Sequence, residues 1–330
     1  MRWIDPARVW YARHWLGVLL APLGALYCAL AMLRRLGFRR GWLASTRLSV
    51  PVVVVGNLSV GGTGKTPAVI ALARLLREHG WRPAVLTRGY GRREDGVRRV
   101  APSDAPEEVG DEPLLLARHA GCPVVVGADR VAAGRFALDR CDCDLLLTDD
   151  GLQHYRLARD IEIAVVDGRR GLGNRRCLPA GPLREPPRRL EAVDLVLHNG
   201  GEAPPGAGRM RLVPGAALAL DGSGRSRPLA AFRDRRVCAV AGIGNPDRFF
   251  AMLETHGLVL DPRPYPDHHD FTAAEVAAWP AGPVLMTEKD AVKCARFGGG
   301  DHWYVPVEAE FDADSLAGLL TRLARVKRHG

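Results

Sequence analysis

The sequence contains very little lysine. Only four of its 46 basic residues are lysines, and the other 42 are arginines. The four are Lys65, Lys289, Lys293 and Lys327. Such a bias toward arginine weakens any argument from the net charge of +9 to nucleic-acid binding. It also gives each lysine more weight, because a compact ammonium reaches phosphates that a planar guanidinium does not fit.

Paired cysteines and internal repeats are also missing. The seven cysteines form no C-x-x-C pair, and an odd number of scattered cysteines fits a reducing compartment better than a disulfide framework. The composition shows no sign of long disorder. With 47% apolar and 25% charged residues, the 330-residue chain has the makeup of one large or two ordinary globular domains.

Residues 15–33 form an uncharged apolar stretch of 19 residues, just long enough to cross a bilayer. Arginines flank it, at Arg2, Arg8 and Arg13 before it and at Arg34, Arg35, Arg39, Arg40 and Arg47 after it. A cleaved signal peptide and a buried helix are alternatives, but a retained membrane anchor fits best, either spanning the bilayer or lying in its interface. The arginine excess after the stretch predicts that the rest of the chain is cytoplasmic.

Strand and helix signals alternate after this stretch. Strands are predicted at 49–57, 82–87, 122–127, 143–149, 161–167 and 192–198, and helices at 67–79, 111–120 and 129–139. This alternation predicts an α/β fold with a doubly wound, mainly parallel sheet. Residues 199–230 are rich in Gly, Pro and Ser and predict a linker. The expected organisation is an N-terminal anchor helix (1–40), a core (41–225) and a smaller C-terminal α/β domain (226–330).

Residues 59–66, SVGGTGKT, match the Walker A phosphate-binding loop except that Ser59 replaces the first glycine. The loop lies between a predicted strand and a helix with Pro67 in its first turn, which is the context this motif requires. The backbone amides of such a loop surround phosphates, Lys65 reaches the β and γ phosphates, and Thr66 binds Mg²⁺. The core is therefore expected to be P-loop NTPase-like. Its nucleotide-binding residues are expected to be Ser59, Val60, Gly61, Gly62, Thr63, Gly64, Lys65 and Thr66.

Two carboxylates follow the predicted strand 143–149. Asp149 and Asp150 stand where a P-loop sheet keeps its Walker B acid, which holds Mg²⁺ directly or through water. A polar turn after a strand is the alternative. Arg88 and Arg130 also follow strand ends, and Arg184 lies in a nearby loop. At that edge of a doubly wound sheet these arginines are candidates to surround an anionic substrate.

Three other polar stretches have ordinary explanations from the sequence alone. Asp111 and Glu112 precede a helix, where an acid commonly acts as a cap. The cluster at 267–270 contains two histidines and two aspartates but lacks the spaced partners of a metal site. The stretch TEKDAVK (287–293) is only slightly similar to the base-reading Lys-x-Asp of GTPases, because the spacing differs.

Taken in order, these motifs resemble the tetraacyldisaccharide 4′-kinases, the lipid A 4′-kinases of Gram-negative bacteria. The shared features are the N-terminal apolar helix and the stretches GNLSVGGTGKTP, LTRGYG, GDEP, GADR, TDDGLQH, GPLREP, PDHH and TEKDAVK, which extend to about residue 293. The resemblance implies a kinase that transfers the γ-phosphate of ATP, with Mg²⁺, to the 4′-hydroxyl of a tetraacyl disaccharide 1-phosphate. On this resemblance, the expected product is lipid IVA, a lipid A precursor, and the enzyme is expected to work at the cytoplasmic face of the inner membrane.

The resemblance also implies roles for particular residues. Asp111, paired with His268, activates the sugar hydroxyl, and Lys65, Asp149 and Asp150 complete the catalytic set. The Mg²⁺ ligands are Thr66, Asp149 and Asp150, and the substrate cleft contains Tyr90, Arg130, Arg184 and Glu185.

Two other functions are compatible with a P-loop. A membrane-tethered ATPase or switch protein would transfer its phosphate to water and would hydrolyse ATP without lipid. A nucleic-acid-binding NTPase would need a basic patch interleaved with aromatic residues, which this sequence lacks, and the predicted anchor argues against it. We therefore expect no nucleic-acid partner.

Overall fold

The computed structural model describes residues 6–12, 14–92, 95–297 and 299–329. In this part of the chain the strands are β1 (Val52–Gly56), β2 (Pro83–Thr87), β3 (Arg98–Arg99), β4 (Val124–Val126), β5 (Leu145–Thr148), β6 (Ile161–Asp167), β7 (Leu195–Asn199), β8 (Gly208–Pro214), β9 (Ala217–Ala219), β10 (Ser226–Arg227), β11 (Arg236–Ala241), β12 (Val259–Pro264), β13 (Val284–Thr287), β14 (His302–Val305) and β15 (Val307–Phe311).

The helices of the same residues are α1 (Pro6–Tyr11), α2 (Trp15–Leu19), α3 (Ala21–Arg39), α4 (Lys65–Glu78), α5 (Pro106–Val109), α6 (Asp111–His119), α7 (Arg130–Arg140), α8 (Pro246–Thr255), α9 (Ala273–Ala277), α10 (Glu288–Cys294) and α11 (Ala313–His329). Short 3-10 helices occupy Pro187–Ala192, Leu229–Phe232 and Ala295–Phe297.

The first sheet has the strand order β15-β8-β7-β6-β1-β5-β2-β4-β3 in the described residues. Strands β8 to β4 along this order pair in parallel, and the outermost strands β15 and β3 pair antiparallel with their neighbours. Helices α4, α6 and α11 contribute buried residues to the core on one face, and α7 contributes to the core on the other. The predicted doubly wound, mainly parallel α/β fold is confirmed.

The central strand and the first core helix follow directly from their sequences. β1 is a run of valines ending in Gly56, and all five residues are buried, as expected for a strand covered on both faces. α4 buries Ala68, Val69, Leu72 and Leu76, spaced to lie on one face of the helix. The loop between these two elements is therefore held at both ends by the core.

The second sheet has the order β10-β9-β14-β13-β11-β12 in the described residues. Strand β9 pairs antiparallel with both β10 and β14, and the remaining pairings are parallel. The prediction of a linker at 199–230 is wrong. β8 pairs with β7 in the first sheet, while β9 and β10 already belong to the second. The chain later returns, because β15 pairs with β8. The three predicted segments stay a prediction, but their last boundary does not coincide with a change of sheet.

The apolar stretch 15–33 is divided between α2 and α3. Of the segment 1–40 predicted as an anchor, residues 1–5 and 13 lie outside the described residues. α3 packs closely on the core at Gly24, where an added Cβ would lie 2.8 Å from the Ala180 Cβ. Its other side exposes Leu23, Leu26 and Leu30 by 55% to 58%. Within the described residues, no helix is both long enough and apolar enough to cross a membrane.

Candidate active site

The phosphate-binding loop joins β1 to α4 and is braced by two asparagines. The Asn57 side-chain amide donates to the Ser59 carbonyl at 2.6 Å and to the Thr63 hydroxyl at 3.3 Å. Asn199, at the end of β7, donates to the Thr63 carbonyl at 2.8 Å. Gly64 adopts a φ of 93°, and a Cβ there would lie 2.4 Å from the Asn199 amide nitrogen. The two asparagines thus fix the loop in front of the α4 N-terminus, where backbone amides bind phosphate.

Lys65 and Arg184 both contact the carboxylate of Asp150. Lys65 Nζ lies 3.6 Å from Asp150 Oδ1, and Arg184 Nη1 donates to both Asp150 oxygens at 2.8 Å. Burial opposes the charge of Asp150, but Lys65 and Arg184 outweigh that effect and hold its pKa well below the usual range. The structure therefore brings three predicted site residues into one charged cluster at the phosphate-binding loop.

Asp149 differs from its neighbour because it lies inside the protein. It is 1% exposed, and its Oδ1 has no hydrogen-bond partner in the described part of the chain. Burial, and then the charge of Glu112, raise the pKa of Asp149 to about 7. Arg130, which is 3% exposed, donates to the Asp149 carbonyl at 3.3 Å. Arg130 was predicted to lie in or near the substrate cleft, and in the structure it is a buried residue that supports the Asp149 backbone.

Asp111 and His268 lie in segments that flank different sheets, and their side chains are close together. Asp111 is the first residue of α6, and His268 lies in the loop after β12. His268 Nδ1 is 3.4 Å from Asp111 Oδ2. Burial raises the pKa of Asp111, but the hydrogen bond from His268 and the charge of Lys289 outweigh it and lower this pKa to about 2. The same hydrogen bond raises the pKa of His268. The exposed Tyr90 ring lies beside His268, with 4.9 Å between ring centroids.

Sequence reasoning missed Lys289 at this site. Its Nζ lies 2.9 Å from Glu112 Oε1, 3.4 Å from Asp267 Oδ1 and 3.8 Å from Asp111 Oδ2. Asp290 instead accepts hydrogen bonds from the Thr287 hydroxyl and the Gly242 amide. Because both side chains are engaged in this way, the arrangement gives no support to a base-reading role for 287–293. The only available signal was that lysine is so rare in this chain.

Glu185 joins a cluster separate from that of its neighbour Arg184. It is 3% exposed, accepts a hydrogen bond from the Tyr155 hydroxyl at 2.5 Å and lies 3.4 Å from Arg189 Nε. Arg189 also bonds Glu162 at 2.5 Å. Glu185 and Arg189 line a groove of about 670 Å³ beside α3, together with apolar residues of that helix. The structure therefore does not bring Glu185 to the acids of the phosphate-binding loop.

A metal site at the two adjacent histidines finds no support. His268 faces Asp111, whereas His269 Nε2 lies 3.1 Å from Glu275 Oε1, so the two rings contact different partners. Across the described ranges, no group of three or more His, Cys, Asp or Glu side chains is arranged to hold a metal ion. Mg²⁺ needs only one or two carboxylates when phosphates and water supply its other ligands. The free Oδ1 of Asp149 meets that smaller requirement.

Comparison with known proteins identifies the family. The family model for tetraacyldisaccharide-1-P 4′-kinase matches residues 16–325. The chain belongs to this family. It is 51% identical to the tetraacyldisaccharide 4′-kinase of Chromobacterium violaceum, over 97% of this chain and 98% of the relative. It is 47% identical to that of Nitrosococcus oceani, over 97% and 95% of the two chains.

A solved structure extends the likeness to the fold. The crystal structure of LpxK from Aquifex aeolicus in complex with ATP superimposes with a TM-score of 0.76 and 30% identity, covering 94% of this chain and 99% of that one. The resemblance inferred from the ordered motifs is therefore confirmed, and so is the assignment of the chain as an ATP-dependent kinase.

Proposed function

We propose that this chain, an ATP-dependent lipid kinase, performs its reaction with the residues that surround the phosphate-binding loop and Asp111. The kinase transfers the γ-phosphate of ATP to the 4′-hydroxyl of a tetraacyl disaccharide 1-phosphate, which forms lipid IVA. The observation that best supports these residue roles is the position of Glu112. Its charge acts on Asp149, and its carboxylate accepts a hydrogen bond from Lys289 beside Asp111. The acids at the phosphate-binding loop and the Asp111–His268 pair are therefore neighbours.

In the proposed reaction, the amides of residues 59–66 and the Lys65 ammonium bind the β and γ phosphates. The oxygen of the 4′-hydroxyl attacks the γ-phosphorus, the bond from that phosphorus to the bridging oxygen breaks, and ADP leaves. The hydroxyl proton passes to Asp111, which is held in place by His268. A carboxylate whose pKa is about 2 is a weak base, so the proton moves late, as suits a loose transition state.

We also assign the Mg²⁺ that accompanies ATP to Thr66, Asp149 and Asp150. Bound there, the ion would neutralise charge on the transferred phosphate. Oxygen ligands suit this cation, and the buried, unpartnered Oδ1 of Asp149 supports the assignment. Arg184 holds Asp150 in place by its two hydrogen bonds.

The proposed cleft for the acceptor contains Tyr90, Arg130, Arg184 and Glu185. Tyr90 is exposed next to His268 and offers a ring face to a sugar. Arg184 is partly exposed beside Asp150 and can meet an anionic group. Arg130 and Glu185 are buried, so any effect they have on the acceptor acts through Asp149 or through the groove beside α3.

The N-terminal segment is proposed to bind the cytoplasmic face of the inner membrane. Leu23, Leu26 and Leu30 are exposed on α3 at spacings of three and four residues, so they share one face of the helix. Arginines at 34, 35, 39 and 40 follow and suit anionic headgroups. An interfacial helix of this kind would bring the active site to a substrate that is itself a lipid.

One experiment tests the reaction. The purified chain is incubated with Mg-ATP and tetraacyl disaccharide 1-phosphate, and the lipid is analysed by mass for one added phosphate. We expect that mass shift and very little ATP hydrolysis without lipid. Unchanged lipid together with rapid lipid-independent hydrolysis would instead favour the membrane-tethered ATPase.

A further inference from the structure

Lys289 contacts the acids of α6, which packs on the first sheet, and the histidine of the loop after β12 of the second sheet. It belongs to the first turn of α10, which follows β13 of the second sheet, and its side chain is 15% exposed. Its ammonium contacts Glu112 and Asp111 of α6 as well as Asp267 and His268 of the loop after β12. The distance from Lys289 Nζ to His268 Nε2 is 3.4 Å.

The chemistry of an ammonium fixes the direction of that last contact. A protonated lysine has three donors and no acceptor, so His268 Nε2 must be the acceptor. Burial opposes the charge of Lys289, but Glu112, Asp111 and Asp267 outweigh it and raise the lysine pKa, which keeps the side chain protonated. The single proton of a neutral imidazole then lies on Nδ1, the nitrogen that faces Asp111 Oδ2 at 3.4 Å.

We propose that Lys289 is a positioning residue for the Asp111–His268 pair, which selects the Nδ1–H tautomer of His268 and aims that proton at Asp111. The inference rests on the proposed role of the pair in catalysis. Besides Lys289, the charged or titratable groups that face His268 are Asp111 from α6, Asp267 from its own loop and Tyr90 from the loop after β2. Among these groups Lys289 is the cation.

Substitution of Lys289 by methionine removes the charge and keeps a side chain of similar length. We expect kcat to fall about 10- to 100-fold, the usual cost of losing a partner that orients an active-site group, while KM for ATP stays unchanged. Lys289→Arg, which keeps a donor and the charge, should recover part of the activity. The matched control is Arg296→Met, because Arg296 lies outside the proposed site. Like Lys289, it joins segments that flank the two sheets, since it bonds Glu107 and Asp270 at 2.6 Å.

The decisive readout is the protonation state of the two ring nitrogens of His268, which nitrogen NMR of histidine-labelled protein measures. The His268 signals are assigned by comparison with His268→Gln. The wild type and Arg296→Met should show Nδ1–H, with Nε2 unprotonated. Lys289→Met should show Nε2–H or imidazolium at the same pH, and the pKa of His268 should rise, because the lysine charge opposes its protonation. If Lys289→Met does not fold, Lys289→Arg is examined instead, and it should retain the Nδ1–H form.

Two results overturn the proposal: an unchanged tautomer in Lys289→Met, whatever its activity, or another tautomer in the wild type. For Lys289→Arg, loss of the Nδ1–H form has the same consequence. Failure of the underlying catalytic role is separate, since it would appear as normal turnover in Asp111→Asn.

Discussion

The exposed face of α3 allows a quantitative test of membrane binding. Leu23, Leu26 and Leu30 are exposed by 55%, 58% and 58%. Full burial of a leucine side chain contributes about 1.5–3 kcal/mol, so transfer of the exposed half of each into lipid contributes about 1 kcal/mol. Replacing all three by serine should therefore weaken binding by about 3 kcal/mol, which corresponds to about 100-fold in the partition coefficient.

Sedimentation with vesicles of phosphatidylethanolamine and phosphatidylglycerol measures that coefficient directly. The control is Val259→Ser on β12, because Val259 is 59% exposed but lies in the second sheet, away from α3. Turnover on substrate presented in short-chain detergent should change little in the triple variant, since all three leucines lie on the exposed face of α3. Equal partitioning of the triple variant and the wild type would refute the assignment of α3 as the membrane-binding surface.

Three further substitutions test the site and its support. Lys65→Met should abolish both ATP binding by calorimetry and turnover, because it removes the ammonium at the phosphate loop; retained affinity would contradict the role of that lysine. Asp111→Asn should lower kcat about 10²- to 10⁴-fold with ATP affinity retained, and near-normal turnover would exclude it as the proton acceptor. Arg189→Met should lower the free energy of unfolding in urea by about 3–5 kcal/mol, since it leaves the buried carboxylate of Glu185 without its ion-pair partner, whereas the exposed Arg188→Met should not.

The sequence alone predicts the parts of the site that are local in the chain. β1, the loop and α4 are consecutive, so their pattern places Lys65 at a helix N-terminus without any knowledge of the rest of the fold. Asp149 and Asp150 follow β5, which pairs directly with β1. Because parallel neighbouring strands end at the same edge, these acids had to lie near the loop.

Contacts between distant segments could not be predicted in this way. The pairing of Asp111 with His268 came from family resemblance, since no spacing rule links α6 to the loop after β12. Lys289 was overlooked because a sequence shows which face of α10 it occupies but not which element covers that face. The burial of Glu185 likewise depends on Arg189 and Tyr155, whose meeting is a property of the folded chain.

Strand β8 was not predicted because the composition of its surroundings was misleading. Its sequence, GRMRLVP, lies within a segment rich in glycine and proline, and that composition predicted a linker. The first four residues nevertheless alternate, with Gly208 and Met210 buried and Arg209 and Arg211 exposed. Period-two alternation is the signal of a strand with one buried face, and here it was better evidence than local composition.

The second sheet takes part in the site through two contacts that differ in kind. At the phosphate-binding loop the contact is steric: a Cβ on Gly244 would lie 2.4 Å from the Gly62 amide nitrogen, and Arg170 holds the Gly244 carbonyl at 3.0 Å. At Asp111 the contact is electrostatic, made by His268 and Lys289. The second sheet and its flanking loops therefore contact the loop that binds phosphate as well as the carboxylate proposed to receive the proton. A shift in the position of this sheet must alter these two contacts together. Variants that shift the second sheet as a whole should therefore affect ATP binding and turnover jointly, whereas Asp111→Asn and Lys289→Met, which change only the electrostatic contact, should affect turnover alone.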